Sequence, residues 1–394
     1  MSVTAPAGFR AAASACGIKP EGLDIALLVA ERTCTAAGVF TTNRAQAAPV
    51  VVAREHLAAG RARALVVNAG CANAATGARG LADAREMTAL LAHQLGCPPA
   101  EVLVASTGVI GVHLPIQRVR AGIASALARL DRAGGDAAAR AILTTDTRPK
   151  QTVVELRLGG ESVRIGAMAK GSGMIAPHLA TLLAFFTTDA AVEARLLREA
   201  LGAAVGESLN RISVDGDTST NDAAVILASG ASAAPAILEP GRDHDAFRDA
   251  LGEAARRIAG LIVRDGEGVT RVAEVRVEGA RDADGADRIA RTVAESALVK
   301  TALGGGDPNW GRVLAALGRA GVEVDMRRVN LYLGDVWVAE GGAVRDYDEA
   351  QARRAMLEDP VRIRIGLGEG SAAGWIWTCD LSRGYVEINA HYRS

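Results

Sequence analysis

The chain has 394 residues, 49% of them hydrophobic and only 3% aromatic, which is enough for one large or two ordinary domains with a core of Ala, Val, Leu and Ile. Its 44 basic and 45 acidic side chains are interleaved and leave a net charge of −1, so it carries no electrostatic footprint for nucleic acid or an anionic membrane surface. There is no uncharged apolar run of about 18 residues, and the start, MSVTAPAGFRAAASACGIK, lacks the basic lead and clean apolar core of a signal peptide. The expected location is the cytoplasm. Cys16, Cys34, Cys71, Cys97 and Cys379 are scattered without a CxxC, and the histidines are equally dispersed, which predicts neither a disulfide nor a structural metal.

From Gly17 to Val67 short apolar runs at 26–30, 38–42, 48–53 and 64–70 alternate with turns and predict a sheet. Leu81 to Leu95 has helical periodicity, 102–107 reads as a strand ending at Gly108, Pro115 opens a helix to about Leu130, and Asp136 to Leu143 is a further helix. The segments 153–158 and 162–169 alternate around Gly159-Gly160-Glu161, a hairpin. That hairpin feeds KGSGMIAPHLATLLAFFTTD, residues 170–189. Here Gly171, Ser172 and Gly173 make a permissive loop, and Pro177 stops a helix. Thr181 to Thr188 suits a buried strand, with Asp189 the N-cap of a helix over Ala190 to Ala204.

After this stretch come VDGDTSTND (214–222), a strand over 223–229, and a helix from about Asp245 to Val263 closed by Asp265-Gly266-Glu267-Gly268. A strand over TRVAEVRVEG, a helix over 286–303 and the loop GGGDPNWGR (304–312) into another helix follow. The C-terminal part reads as β, in RVNLYLG, VRIRIGLG, GWIWTCD and YVEINAHY. Helices mixed with antiparallel-looking strands, without a strict βαβ rhythm or an internal repeat, indicate an α+β fold. The glycine-rich 304–312 matches neither GxGxxG nor GxxxxGK[ST], so no nucleotide site is assigned.

The candidate chemistry centres on Thr181. A threonine hydroxyl is a poor nucleophile until a base takes its proton, and a free α-amine, with a pKa of about 7.7–8.0, can be that base. The arrangement requires the Ala180–Thr181 bond to break after folding, and small Ala180 leaves the hydroxyl room to attack its carbonyl. Taken alone, Thr181 is first of all a β-branched residue opening a buried strand, and Lys170 a surface lysine.

KGSGMIAP followed by an Ala-Thr junction and an apolar run ending TTDA resembles the autoprocessing segment of the ornithine acetyltransferases, the bifunctional glutamate N-acetyltransferases of arginine biosynthesis. VNAGCANAATG (67–77), ASTGVIG (105–111), TTDTRPK (144–150), VDGDTSTND, DGEG, GGGDPNWGR and INAHYRS extend the resemblance in order over most of the chain. One departure is His178-Leu179, where the family pattern has Asn-Met.

The resemblance implies a DmpA/ArgJ-like fold of the N-terminal-nucleophile type, with two central sheets between helical layers. It also implies self-cleavage into 1–180 and 181–394, with two copies of each fragment in a heterotetramer. Thr181 is then the nucleophile, and Thr107 with Gly108 is the oxyanion hole. Lys170 meets a substrate carboxylate, Glu267 the substrate's amino group, and Asn389 and Ser394 complete the pocket. A threonine of 144–150 also touches substrate; Thr145 is chosen, with Thr144 and Thr147 open. The implied reaction moves an acetyl group from N2-acetyl-L-ornithine to L-glutamate through acetyl-Thr181, without a cofactor. Some members also take acetyl-CoA as donor. An amidase or aminopeptidase on the same fold and a non-catalytic small-molecule binder are the competing expectations.

Overall fold

Alternate residues along the apolar runs of the first half are buried on opposite faces of one sheet. Ile25, Leu27 and Val29 join one core with Ala64, Val66, Val102 and Val104, while Ala26, Leu28 and Ala30 join another with Leu65, Val67, Leu103 and Ala105. A sheet buried on both faces needs continuous apolar strands, which is why these segments show little polar alternation. Residues 2–176 and 182–391 are described by the structure, a computed structural model. They form two compact units, one of residues up to Asn210 with Asp217–Ile262, the other of Arg211–Gly216 with the chain from Val263 on.

The first unit holds β1 (Phe9–Ser14), β2 (Ile25–Phe40), β3 (Arg61–Cys71), β4 (Val102–Val109), β5 (Lys150–Leu158), β6 (Glu161–Lys170) and β7 (Leu183–Thr188). After β8 (Ile212–Ser213), which belongs to the second unit, β9 (Ala223–Ala228) returns to the first. The strand order is β4-β3-β2-β9-β7-β6-β5, with β1 paired to β2. β3–β4 and β7–β9 are parallel and the other pairs antiparallel. One face is covered by helices Ala48–His56, Gly77–Leu95 and Ile116–Leu127 through Val52, Met87, Leu91, Val119 and Ile123. The other is covered partly by helix Gly135–Ala141. Each fully buried Leu, Ile or Met in these layers contributes about 1.5–3 kcal/mol.

In the second unit, β10 (Val272–Ala280), β11 (Asn330–Leu333), β12 (Val336–Glu340), β13 (Ala343–Val344), β14 (Val361–Gly366) and β15 (Ala372–Cys379) join β8 in the order β13-β12-β11-β14-β10-β15-β8. Its core packs Val275, Val277, Ile363 and Ile365 against Ile289 and Val293 of helix Ala283–Ala294 and Val313 of helix Trp310–Gly318. The α+β class expected from the sequence is the one observed.

Several elements differ from the sequence reading. The apolar run 48–53 is helical, with a proline in its first turn; helix-propensity penalties of well under 1 kcal/mol per valine are outweighed by burial of Val50 and Val52. Asp189 caps no helix. Its carboxylate instead accepts the amides of Ala7 (3.0 Å) and Arg164 (2.8 Å), and the helix begins later, at Ala194, capped by Glu193. The predicted helix 286–303 is two, Ala283–Ala294 and Ala297–Gly305, broken at an extended Ser296. Of YVEINAHY, read as a strand, residues 385–391 lie in helix Arg383–His391, where Asn389 donates to the Tyr385 carbonyl one turn back. Short mixed runs do not separate strand from helix by period alone.

The division at 180/181 does not follow the compact units. β7 pairs antiparallel with β6, Lys170 opposite Leu183, and parallel with β9, Leu183 opposite Ala223, so the two sequence halves share one sheet.

Candidate active site

The end of β4 holds the first pair of predicted residues. Thr107 is buried, and Gly108 has φ +125°, a conformation that side chains with a Cβ rarely adopt. A Cβ there would also lie 2.6 Å from the Cys71 nitrogen and against the Gly70 backbone, because β3 and β4 run side by side at this point. Glycine is therefore required on two counts. The strand end is held from behind: Ser106 Oγ donates to Asn68 Oδ1 (2.6 Å), and Asn68 Nδ2 donates to the Cys71 carbonyl (2.8 Å).

Asn221 and Asp222, at the end of the polar 214–222 segment, connect this strand end to the start of β7. Asn221 Nδ2 donates to the carbonyls of Ala72 (2.6 Å) and Ser106 (2.9 Å). Asp222 Oδ1 accepts the Leu182 amide at 2.8 Å. Its carboxyl is fully buried, and that burial pushes its pKa well above the usual carboxylate range despite the Leu182 amide, the charge of Lys170 and the Thr41 hydroxyl. Sequence reasoning did not single out either residue; both lie in VDGDTSTND, a polar run entering an apolar strand.

Lys170, at the end of β6, is not a surface lysine. Its side chain is 3% exposed and its ammonium lies 3.8 Å from Asp146 Oδ2. Asp146 also takes Lys150 Nζ at 2.5 Å, the Gly171 amide at 2.7 Å and the Thr144 amide at 3.1 Å. Burial alone would raise this carboxyl, but the charges of Lys170 and Lys150 and the amide bond outweigh it and bring its pKa down to about 2. Lys19, half-buried nearby, is lowered by its own burial and by Lys170, against the pull of Asp24 and Asp146. The result is a buried cluster with more positive than negative charge, a setting that favours an anionic group. Thr145 is half-buried beside Asp146. Asp146 and Lys150 were missed as site residues because TTDTRPK reads as a capped turn; their spacing of four was the available signal.

In the second unit, Glu267 is buried, and its Oε2 accepts Asn389 Nδ2 at 2.7 Å, so two predicted residues meet. Helix Arg383–His391 closes over the loop: Ser382 Oγ donates to the Gly268 carbonyl at 2.6 Å, and a Cβ on Gly268 (φ +66°) would lie 2.6 Å from the Gly384 carbonyl carbon. Tyr385 adds a hydroxyl contact to Asp215 at 3.3 Å. Ala180, Thr181 and Ser394 lie outside the described residues, as does the His178-Leu179 departure. Among the described residues, no group of three His, Cys, Asp or Glu side chains is placed to hold a metal ion, and no helix is long and apolar enough to cross a membrane.

Comparison with known proteins gives a consistent result. The model of the ArgJ family matches residues 10–394. The arginine biosynthesis bifunctional protein ArgJ of Symbiobacterium thermophilum is 51% identical over 395 residues, covering 100% of this chain and 98% of the relative. That of Methylococcus capsulatus is 48% identical over 393 residues, covering 98% of this chain and 96% of the relative. The crystal structure of the arginine biosynthesis bifunctional protein from Bacillus halodurans, 41% identical, superposes with a TM-score of 0.51 over 53% of this chain and 98% of that chain.

Proposed function

Because the chain belongs to the ArgJ family, we propose that it is an acyltransferase of arginine biosynthesis that moves an acetyl group between N2-acetyl-L-ornithine and L-glutamate. The observation that carries this reading is the unbroken match, 51% identical over the whole chain, to a bifunctional ArgJ protein.

In the mechanism we infer, the chain breaks between Ala180 and Thr181, and the freed amine of Thr181 takes the proton from its own hydroxyl. The hydroxyl oxygen attacks the acetyl carbonyl while Thr107 and the Gly108 amide receive the developing oxyanion; Gly108 leaves that amide backbone uncovered by a side chain. Lys170, buried in a net positive cluster, takes the substrate carboxylate, with Thr145 beside it. Glu267, oriented by Asn389, takes an ammonium group, and Ser394 completes the pocket. Ornithine leaves, glutamate attacks the acetyl-threonine ester, and N-acetylglutamate is released. No cofactor enters this exchange; acetyl-CoA is the second acetyl donor that a bifunctional enzyme would take.

The assembly we infer is a heterotetramer of two 1–180 and two 181–394 chains, in the cytoplasm. The test is the denatured intact mass followed by an exchange assay. Two species, the second beginning at Thr181, and glutamate-dependent release of ornithine are expected. A single persistent 40.5 kDa species would remove the nucleophile and favour a binding protein. Acetylornithine hydrolysis equally fast without glutamate would make the enzyme an amidase.

A further inference from the structure

On the acetyl-exchange reading, on which this inference rests, one pocket receives ornithine, whose side chain ends in an ammonium, and glutamate, whose side chain ends in a carboxylate. Lys170 serves the α-carboxylate that both carry. The second carboxylate of glutamate needs a cation of its own, since a charge taken out of water without a partner is costly. Lys19 is placed to be that cation. It ends a loop that Asp24 builds: one carboxylate oxygen accepts the Cys16 amide (2.7 Å), the other the amides of Ile18 (2.7 Å) and Lys19 (3.3 Å). Asp24 is fully buried, and its carbonyl accepts the Ala69 amide of β3 at 2.9 Å, which fixes the loop to that strand. The Lys19 stem then packs on Gly70 (φ +102°), where a Cβ would lie 2.9 Å from Lys19 Cγ. Gly70 stands opposite Gly108 in the parallel pair β3–β4, so the stem packs beside the strand end assigned to the oxyanion.

The ammonium donates to the carbonyls of Leu143 (3.1 Å) and Ala141 (3.4 Å), just before the Thr144–Asp146 turn. An ammonium has three donors, and the remaining one has no acceptor among the described residues. The charge is also poorly compensated. Burial and Lys170 both work against it, while Asp24 and Asp146 favour it from a distance. Asp24 gives its oxygens to backbone amides, and Asp146 gives its to Lys150, Lys170 and the amides of Gly171 and Thr144. A fixed, half-buried cation whose bonds run to neutral carbonyls suits an incoming anion. We propose that Lys19 binds the side-chain carboxylate of glutamate, the group that distinguishes the acetyl acceptor from ornithine. Lys170 and Lys19, both in the first unit, then divide the two carboxylates of glutamate between them.

The experiment measures both half-reactions of the full protein and offers glutamine as a competing acceptor. Lys19→Met keeps a stem against Gly70 and removes the charge; Lys19→Arg keeps a cation. Wild type is expected to prefer glutamate to glutamine by at least about tenfold, the effect of one hydrogen bond to a charged group. Lys19→Met should raise KM for glutamate about tenfold more than KM for acetylornithine. It should also bring glutamine and glutamate close to equal, with Lys19→Arg recovering part of the preference. A folded Lys19→Met that keeps the wild-type preference, or that raises both KM values alike, overturns the assignment. Should that variant not fold, wild type that uses glutamine as readily as glutamate overturns it instead, because no second cation is then needed. Wild type that releases no ornithine when glutamate is added sinks the exchange reading itself, a different result from a preference that survives the substitution.

Discussion

Gly108 illustrates how a single position can be constrained twice, by a positive φ and by the Gly70–Cys71 backbone alongside. Gly108→Ala is expected to lower the unfolding free energy by about 2 kcal/mol or more, from backbone strain and overpacking, and to reduce acetyl transfer in whatever folds. Asp146 is constrained by charge instead. Replacing it with Ala leaves Lys150 and Lys170 buried without their carboxylate and should cost about 3–5 kcal/mol in chemical unfolding. The pH dependence has a definite sign. The folded pKa of about 2 lies below the ordinary value, so the stabilisation is present above about pH 4 and is lost as pH falls towards 2. Unfolding midpoints measured across that window should fall more steeply for wild type than for Asp146→Asn; equal slopes would show that Asp146 is not the group titrating. Thr107, Gly108, Lys170 and Glu267 could be singled out from the sequence by resemblance, because they sit in motifs with recognisable neighbours. Asp146 and Asp222 were not, since an aspartate in a polar run looks the same whether it caps a turn or is sealed beneath a strand.

Among the elements, helix Arg383–His391 has the clearest consequence. It presents Asn389 to Glu267 and packs its first turn on Gly268, with no buried residue of its own among its nine. Holding a loop is therefore a larger part of its contribution than filling a core. Asn389→Ala should lower the unfolding free energy by about 1–3 kcal/mol, the net worth of the two hydrogen bonds its amide nitrogen makes, while raising KM for acetylornithine; an unchanged KM would detach Glu267 from the substrate. Gly268→Ala should do more damage, because a Cβ meets the Gly384 backbone. The sequence read this helix as a strand, and read 48–53 likewise, since both contain β-formers at spacings that suit either period. What decided them was packing. Val50 and Val52 are buried residues of a helix lying on the sheet, and the C-terminal helix is tied to a loop and pairs with no strand among the described residues.

The first unit as a whole dictates what scission between 180 and 181 would do. β6 precedes the junction and β7 follows it, and the two pair from Lys170–Leu183 to Ile165–Thr188, with β7 inserted between β6 and β9. Processing would therefore cut a connection inside a sheet without separating two domains. The two fragments should run together in native size-exclusion chromatography and part only in denaturant; separation in native buffer would contradict the shared sheet.

The sequence by itself determined the α+β class, the hairpin turning at Gly159-Gly160, most strands of the first sheet and the family, because these depend on local periodicity, turn chemistry and long ordered motifs. Tertiary structure decided the rest. It buried Lys170 against Asp146, joined Asn389 to Glu267 and set Asp222 beneath Leu182, three contacts between residues 24, 122 and 40 positions apart. Burial and long-range pairing alone fix such contacts, and no local pattern encodes which distant group a buried charge will meet.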